Sequence, residues 1–448
     1  MGEKLAINGG EKAVTLDRTE ALRWPQFGDE DFEAVKRAMQ MPDYSFYEEA
    51  YRFEDEFKNY SGSKYALAHN NGTSAIHSAL FALGIGPGDE VITPSLTFWA
   101  STMQVLSCNA IPIFAEVGPE TLNLDPRDIE KKITPRTKAI VAVHLCGLPC
   151  AMDEIMDLAR RHGIKVIEDA SHAHGAEYKG KKIGTIGDIG CFSLQATKLL
   201  PALEGGLLIT DNREYYERAS ALAHYERLPG LPEDSKYRKF SHACFGFKYR
   251  IHPLAASIAR VQLKYLDERN KLRNENHQYL DSGLGKIRGL ETIKTPADVR
   301  RTYYCYRIKY KPEELGGLER EKFIAALQAE GVEVTTERYE LLHLQPVFQE
   351  LDLWGKGCPW NCPHVKRKVT YGPGDLPVTE ELHRKLLALP VFPQAKRELL
   401  DQYIKAFKKV AGNVDELGKI KGARIEKKPD MDWEKMQMVK EQVNSGKE

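Results

Sequence analysis

Seven short apolar runs, recurring between residues 64 and 225 with amphipathic stretches between them, constrain this chain more than any other feature. They fall at 64–69, 90–93, 112–117, 139–145, 165–168, 190–194 and 206–210. Each is nearly continuous in apolar residues and does not alternate with polar ones. That pattern predicts strands covered on both faces, which belong to a mostly parallel sheet. The stretches at 73–83, 98–108, 126–133 and 151–162 carry helical periodicity, and a further helix starts at Asn212. Strands and helices in alternation predict an α/β domain.

After about Pro253 the character changes. A charged amphipathic stretch at 255–279 leads out of the first domain. A strand at 302–310, a helix at 318–330 ended by Gly331 and a strand at 332–335 then predict a smaller α+β domain. The expected division is an N-terminal segment 1–60 with one helix at 29–39, a large domain 61–255, a small domain 256–415 and a charged, exposed tail 416–448. Residues 352–376 form a long loop rich in Gly, Pro, Trp and Cys, and Trp354, Trp360 and Tyr371 argue that it is ordered.

Bulk properties exclude several function classes. Lys+Arg and Asp+Glu both number 64, so the net charge is zero and neither nucleic acid nor an anionic membrane is expected as a bulk partner. The start has no long apolar region before a cleavage signal, so a cytoplasmic location is expected. The longest uncharged run, 91–115, contains Pro94 and Pro112 and reads as strand, helix and strand, not as a membrane span. Eight cysteines, mostly scattered in apolar runs, predict buried thiols and no disulfide framework. Cys146/Cys150 and Cys358/Cys362, the latter followed by His364, have wider spacing than zinc knuckles, and no metal is expected.

The chemistry gathers around Lys198. A lysine followed by Leu199 and Leu200 is ordinarily just a solvated residue. Asp169, however, ends a strand at the carboxyl edge of the sheet, where open α/β sheets bind ligands. An amine in a loop and a carboxylate at a strand end suit pyridoxal phosphate. That cofactor needs the first for a Schiff base and the second to keep its ring nitrogen protonated. The segment His69-Asn-Asn-Gly-Thr-Ser-Ala75 follows a strand and opens a helix, so Gly72, Thr73 and Ser74 could hold a phosphate at the helix N-terminus. Cap and turn chemistry explains the same residues equally well. Phe98 or Trp99 could stack on a flat ring, and His172 could lie beside it; core packing is the ordinary reading of each. The stretch Gly175–Lys182 nearly matches a P-loop but has lysine where the magnesium-binding hydroxyl must be, so nucleotide-driven chemistry is not supported.

Taken in order, Asn71-Gly-Thr-Ser-Ala75, Gly86-Pro-Gly-Asp-Glu-Val-Ile-Thr-Pro94, Asn123-Leu-Asp125, Thr134-Pro-Arg-Thr-Lys-Ala139, Glu168-Asp-Ala170, Cys191-Phe-Ser-Leu-Gln-Ala-Thr-Lys198 and Glu204-Gly-Gly206 resemble one family. The chain is similar, over about residues 7 to 412, to the DegT/DnrJ/EryC1/StrS sugar and cyclitol aminotransferases. The resemblance implies a fold type I, aspartate-aminotransferase-like architecture with a seven-stranded sheet. It implies Lys198 as the Schiff-base lysine, Asp169 as partner of the pyridine nitrogen and Phe98 as the stacking ring. Thr73, Ser74 and Ser193 match its phosphate ligands, His172 matches a residue beside the cofactor, and Gln195 lies near by position. One segment departs from the family. Where relatives often carry Gly-x-Asn-Tyr-Arg, reaching the phosphate of a neighbouring subunit, this chain has Gly246-Phe-Lys-Tyr-Arg250, so Lys248 takes that place in an expected homodimer.

The implied reaction is transamination, with pyridoxamine phosphate as the alternate cofactor form, glutamate or glutamine as donor and, as acceptor, a keto sugar expected to be nucleotide-linked or a keto cyclitol. Some relatives are dehydratases, expected to carry histidine in place of Lys198, and a non-catalytic regulatory relative is the other alternative. Acceptor specificity is expected in the 352–376 loop, in the 225–245 region and around Tyr339 and His343.

Overall fold

A computed structural model describes residues 3–41, 48–350, 352, 355–366 and 368–419. The expected helix at 29–39 is α1 (Asp29–Met39), and α2 (Glu48–Ser61) follows it. The seven expected runs are strands of one sheet: β1 (Tyr65–His69), β2 (Glu90–Pro94), β3 (Ile111–Ala115), β4 (Thr137–Val143), β5 (Lys165–Asp169), β8 (Ile189–Ser193) and β9 (Gly206–Thr210). Two short strands, β6 (Glu177–Tyr178) and β7 (Lys181–Lys182), form a separate hairpin. The sheet order is β1-β9-β8-β5-β4-β2-β3. Only β9 runs antiparallel, and it does so to both neighbours.

The helices between these strands start where short polar side chains can cap them. Asn71 accepts from the Ser74 amide to open α3 (Gly72–Ala82), and α4 (Ala100–Ser107) follows β2. Asp125 caps α5 (Pro126–Lys132), with proline in the first turn. Gly163, at φ 64, ends α6 (Met152–His162), and Asn212 caps α7 (Arg213–Ala223). The uncharged run at 91–115 is folded as β2, α4 and β3, and no described helix is long and apolar enough to cross a membrane.

The long helix α8 (Pro253–Leu284) leads into the small domain. There β10 (Leu290–Thr292), β12 (Tyr306–Tyr310), β13 (Thr335–Thr336) and β14 (Leu386–Leu389) form an antiparallel sheet ordered β10-β12-β14-β13, while β11 (Val299–Arg300) pairs with β6. Helices α9 (Arg320–Ala329), α10 (Pro346–Glu350), α11 (Pro377–Lys385) and α12 (Arg397–Ala411) complete it. Leu5, Ala13 and Val14 pack into this core with Phe323, Tyr403 and Phe407. The fully buried Glu330 carboxylate fixes that N-terminal stretch by accepting from the amides of Ala6 and Ala13 at 2.8 and 2.9 Å and from Lys409.

Three expectations are corrected. Cys146 and Cys305 form a disulfide across 159 residues of sequence, both nearly buried and with Cα atoms 4.7 Å apart. Spacing along the chain carries no trace of this pairing, because the fold brings the two segments together. The strand expected at 302–310 begins only at Tyr306, since residues 302–305 follow the end of β4 instead: the Thr302 amide donates to the Gly147 carbonyl at 2.9 Å. The strand at 332–335 shrinks to β13. In the 352–376 loop, Tyr371 takes the Phe114 amide at 3.1 Å and donates to the Pro112 carbonyl at 2.9 Å, covering the edge of β3. Trp354 and residues 420–448 of the charged tail lie outside the described residues.

Candidate active site

The sheet order decides what meets at its carboxyl edge. Asp169 ends β5 and Ser193 ends the adjacent β8. The turn after β1 lies one strand further, across β9, where Gly206 pairs with both His69 and Ser193. Gly206 permits the closure: a Cβ there would sit 2.2 Å from the Asn71 carbonyl oxygen. Gly72 permits the next step. A Cβ on it would lie 2.7 Å from the Ser193 Cβ, so only glycine lets the first turn of α3 rest on the end of β8.

This contact creates a pocket rim of donors. The Ser74 amide is committed to the Asn71 side chain at 2.8 Å, and the Ser74 hydroxyl is held by Asn70 Oδ1 and the Asn71 carbonyl at 2.7 and 2.8 Å. The amides of Gly72 and Thr73 stand in the first turn, where a helix offers no internal carbonyl partner. With the helix dipole they favour an anion beside Ser193.

Asp169 is nearly buried and held in a fixed orientation. Ser101 donates to its Oδ2 at 2.6 Å and the Ser171 amide to its Oδ1 at 3.1 Å. Ser101 is in turn paired with Thr97 at 3.1 Å. The neighbouring Glu168 is completely buried and accepts from the amides of Gly184, Ile186 and Gly187 and from His144. Burial opposes its charge, yet His144 and the backbone donors outweigh burial and lower its pKa.

Lys198 lies over the ring of Tyr304, with Nζ 4.4 Å from the ring centroid and 3.3 Å from the phenol oxygen. The buried Leu199 and Leu200 anchor the backbone next to it, and Gln195 shapes the turn by accepting from the Thr197 amide and hydroxyl at 2.8 and 2.7 Å. The Tyr304 ring stacks on His172 at 4.1 Å, and the Tyr339 hydroxyl lies 3.4 Å from His172 Nε2. Phe98 is 40% exposed and 6.3 Å from Tyr339, so it stands at the mouth of the site. Burial, reinforced by the nearby Lys198 and Arg307 cations, drives the His172 pKa far down and keeps its imidazole neutral. Burial alone would raise Tyr304, but the Lys198 cation and the hydrogen bonds from Thr197 and Lys198 hold its phenol below the usual range.

The fold therefore brings Lys198, Asp169, Ser193, Thr73, Ser74, His172, Phe98 and Tyr339 to one edge. His343 lies elsewhere: it is fully buried, with Nδ1 2.7 Å from the Ser95 hydroxyl and Nε2 3.2 Å from Glu380, and it latches the small domain to the end of β2. Gln195 is committed to the Lys198 turn. Lys248 is exposed on a segment that joins the base of the Gly72 turn, where the Asn70 amide donates to the Tyr249 carbonyl at 2.6 Å. Sequence reading missed Tyr304, Ser101 and Trp24, whose indole donates to the Lys198 carbonyl at 3.0 Å. Only the aromatic density of residues 303–306 hinted at the first.

These residues fit pyridoxal phosphate. The Gly72–Ser193 cradle suits a phosphate, the oriented Asp169 carboxylate suits a protonated ring nitrogen, and Lys198 supplies the amine. The buried Nδ1 of His172 has no partner among the described residues and so has a hydrogen bond to offer.

Comparison with known proteins agrees with this chemistry. The DegT/DnrJ/EryC1/StrS aminotransferase family model matches residues 25–360. The chain is 31% identical to the L-glutamine:scyllo-inosose aminotransferase of Streptomyces griseus, over 94% of this chain and all of that protein. It is 39% identical to the GDP-perosamine synthase of Caulobacter vibrioides, over 67% of this chain and 78% of that one. Among solved structures, an aminotransferase from Psychrobacter cryohalolentis is 30% identical with a TM-score of 0.77, covering 88% of this chain and 99% of its own.

Proposed function

The chain belongs to the DegT/DnrJ/EryC1/StrS aminotransferase family, and from that membership we propose that Lys198 is the catalytic amine of a transaminase acting on a keto sugar or keto cyclitol. The enzyme is pyridoxal phosphate-dependent, and when bound that cofactor supplies an electron sink for the carbanion formed at the amino-bearing carbon. The observation that carries the assignment is the placement of Lys198 Nζ against Tyr304, at the edge shared by Asp169 and the Gly72–Ser193 cradle.

Each side chain has a defined task. Thr73, Ser193 and the Gly72 amide would hold the phosphate, and Ser74 would join them by turning its hydroxyl from Asn70 and the Asn71 carbonyl to the ligand. Asp169, fixed by Ser101 and the Ser171 amide, keeps a cation on the ring nitrogen. Lys198, once its amine is free, takes the proton from the substrate carbon as a general base and returns it as a general acid. Tyr304 receives that amine between the two events, through its phenol oxygen and its ring face. His172, neutral, stacked on Tyr304 and 3.4 Å from the Tyr339 hydroxyl, would lie beside the cofactor ring without adding charge. Phe98 covers the ring at the mouth.

The donor in this reading is glutamate or glutamine and the acceptor a keto sugar, nucleotide-linked or free, or a keto cyclitol. The active form is a homodimer in the cytoplasm. Support for the dimer comes from the exposed Phe245 and Phe247 beside Lys248. A monomer by light scattering with activity intact would contradict it.

Visible absorbance tests the central assignment. Purified enzyme is expected to carry a chromophore that glutamate or glutamine bleaches, and Lys198→Ala to lose the bleachable form. A wild type that stays colourless with added pyridoxal phosphate refutes the reading. A screen of keto sugars and keto cyclitols, read by product mass, identifies the acceptor.

A further inference from the structure

Lys198 stands on a loop, residues 194–205, that folds back on itself between β8 and β9. Three backbone bonds close it. The Leu194 amide donates to the Gly205 carbonyl at 2.8 Å, the Ala202 amide to the Leu194 carbonyl at 2.7 Å and the Ala196 amide to the Leu203 carbonyl at 2.8 Å. The Lys198 amide is satisfied inside the loop, by the Gln195 carbonyl at 2.8 Å. Its carbonyl is satisfied from outside, by the indole N–H of the half-buried Trp24 at 3.0 Å, 174 residues earlier in the chain.

That indole is itself held. Arg273 and Arg269, both on α8, lie 4.3 and 5.8 Å from the centroid of its ring. A guanidinium over an indole face is attracted by the ring's quadrupole. The chain just after Trp24 is stitched to the same helix: the Gln26 carbonyl accepts from Gln262 Nε2 at 3.2 Å and from Arg269 Nη2 at 3.1 Å. Gln262 Nε2 also donates to Asp31, at the start of α1, at 2.7 Å. The N-terminal segment and α8 thus form a clamp, with the indole N–H as its contact on the lysine loop.

The lysine's task needs a fixed base. Its amine sits on a flexible four-carbon stem. In the reaction proposed above it must serve the substrate carbon and also meet Tyr304, whose phenol oxygen is 3.3 Å from Nζ. Fixing the Lys198 peptide at both its amide and its carbonyl leaves only side-chain torsions to carry the amine between these places. Misplacing a reacting group by about 1 Å can cost on the order of 100-fold in rate.

We propose that Trp24 is a positioning residue for the proton transfers of Lys198, acting through its indole N–H on the Lys198 carbonyl. The assignment rests on the aminotransferase reading given above. Trp24 has no part in donor binding; it sets where the amine starts from and so the rate at which bound donor reacts.

Two replacements separate the N–H from the ring. Trp24→Phe keeps an aromatic face for the two arginines and removes the donor. Benzothienylalanine at position 24 keeps the full indole shape with sulfur in place of the N–H. In stopped-flow bleaching of the chromophore by the donor, both variants are expected to lose roughly tenfold in maximal rate. The donor concentration giving half the maximal rate should stay within about twofold of wild type. Hydrogen–deuterium exchange on cofactor-free protein supplies a readout independent of turnover. Amides of the 194–205 loop should exchange about threefold to tenfold faster in both variants, while those of α12 are unchanged. An unchanged maximal rate overturns the proposal, as does a rise in the half-saturating donor concentration at constant maximal rate. So does a benzothienylalanine variant that behaves as wild type, which would assign the effect to the ring, or faster exchange that extends to α12, which would mark a general loss of packing. A wild type without a chromophore is failure of the aminotransferase reading, and the exchange measurement still decides whether Trp24 holds the loop.

Discussion

Glu168→Gln should damage the protein far more than its single-atom change suggests. The wild-type carboxylate accepts from four donors. The Ile186 and Gly187 amides reach Oε1 at 2.7 and 2.6 Å, and the Gly184 amide and His144 Nε2 reach Oε2 at 2.9 and 3.1 Å. Glutamine keeps one accepting oxygen. Its amide group would face the other two donors, and each lost bond to a charged acceptor is worth about 1.5–3 kcal/mol. The expected loss is therefore about 3–6 kcal/mol, in line with about 3–5 kcal/mol for breaking a buried ion pair. At about 2–4 °C per kcal/mol for a domain of this size, the melting temperature should drop by at least about 6 °C. The effect depends on pH in a defined way. Glu168 has a lowered pKa, so its contribution is present above the ordinary glutamate value and lost as pH falls through the lower folded value. His144 accepts the Cys150 amide at Nδ1 at 3.0 Å and donates from Nε2 to Glu168, so it serves Glu168 as a neutral donor. Calorimetric melts of wild type and variant should therefore differ most above about pH 5, where Glu168 is charged. A variant that melts within about 2 °C of wild type at pH 6 would refute the account.

Four further outcomes are expected. Gly72→Ala should weaken pyridoxal phosphate binding at least tenfold by absorbance titration, since its Cβ would force α3 away from Ser193; unchanged affinity would remove the cradle. Tyr304→Phe should lower kcat with little change in the KM for the donor, because the ring stays and only the phenol contact with Lys198 is lost. His343→Ala should cost about 2–3 kcal/mol of stability yet leave donor bleaching intact, as expected of a buried latch and not of a substrate ligand. Thiol titration of denatured, unreduced protein should count six of the eight cysteines, and a count of eight would exclude the Cys146–Cys305 bond.

The parts legible in the sequence share one property: their signal is local. Continuous apolar runs marked the seven strands, and Asn71, Asp125 and Asn212 marked helix starts through hydrogen bonds within three residues. Tyr304 was hidden because its run of aromatics suits a strand, and only the distant Gly147 shows that the chain is not yet in one. His343 was misleading because a polar residue near Tyr339 could face either a ligand or the core, and the choice depends on Ser95, 248 residues away.

The covalent link between Cys146 and Cys305 has a mechanical consequence. It ties the end of β4 to the residue after Tyr304, and the Thr302–Gly147 backbone bond reinforces the tie. Any swing of the small domain during substrate entry must then pivot about this point, leaving Tyr304 stationary relative to the sheet. The ring against which Lys198 Nζ rests is thus moored to the sheet by a covalent tie as well as by packing.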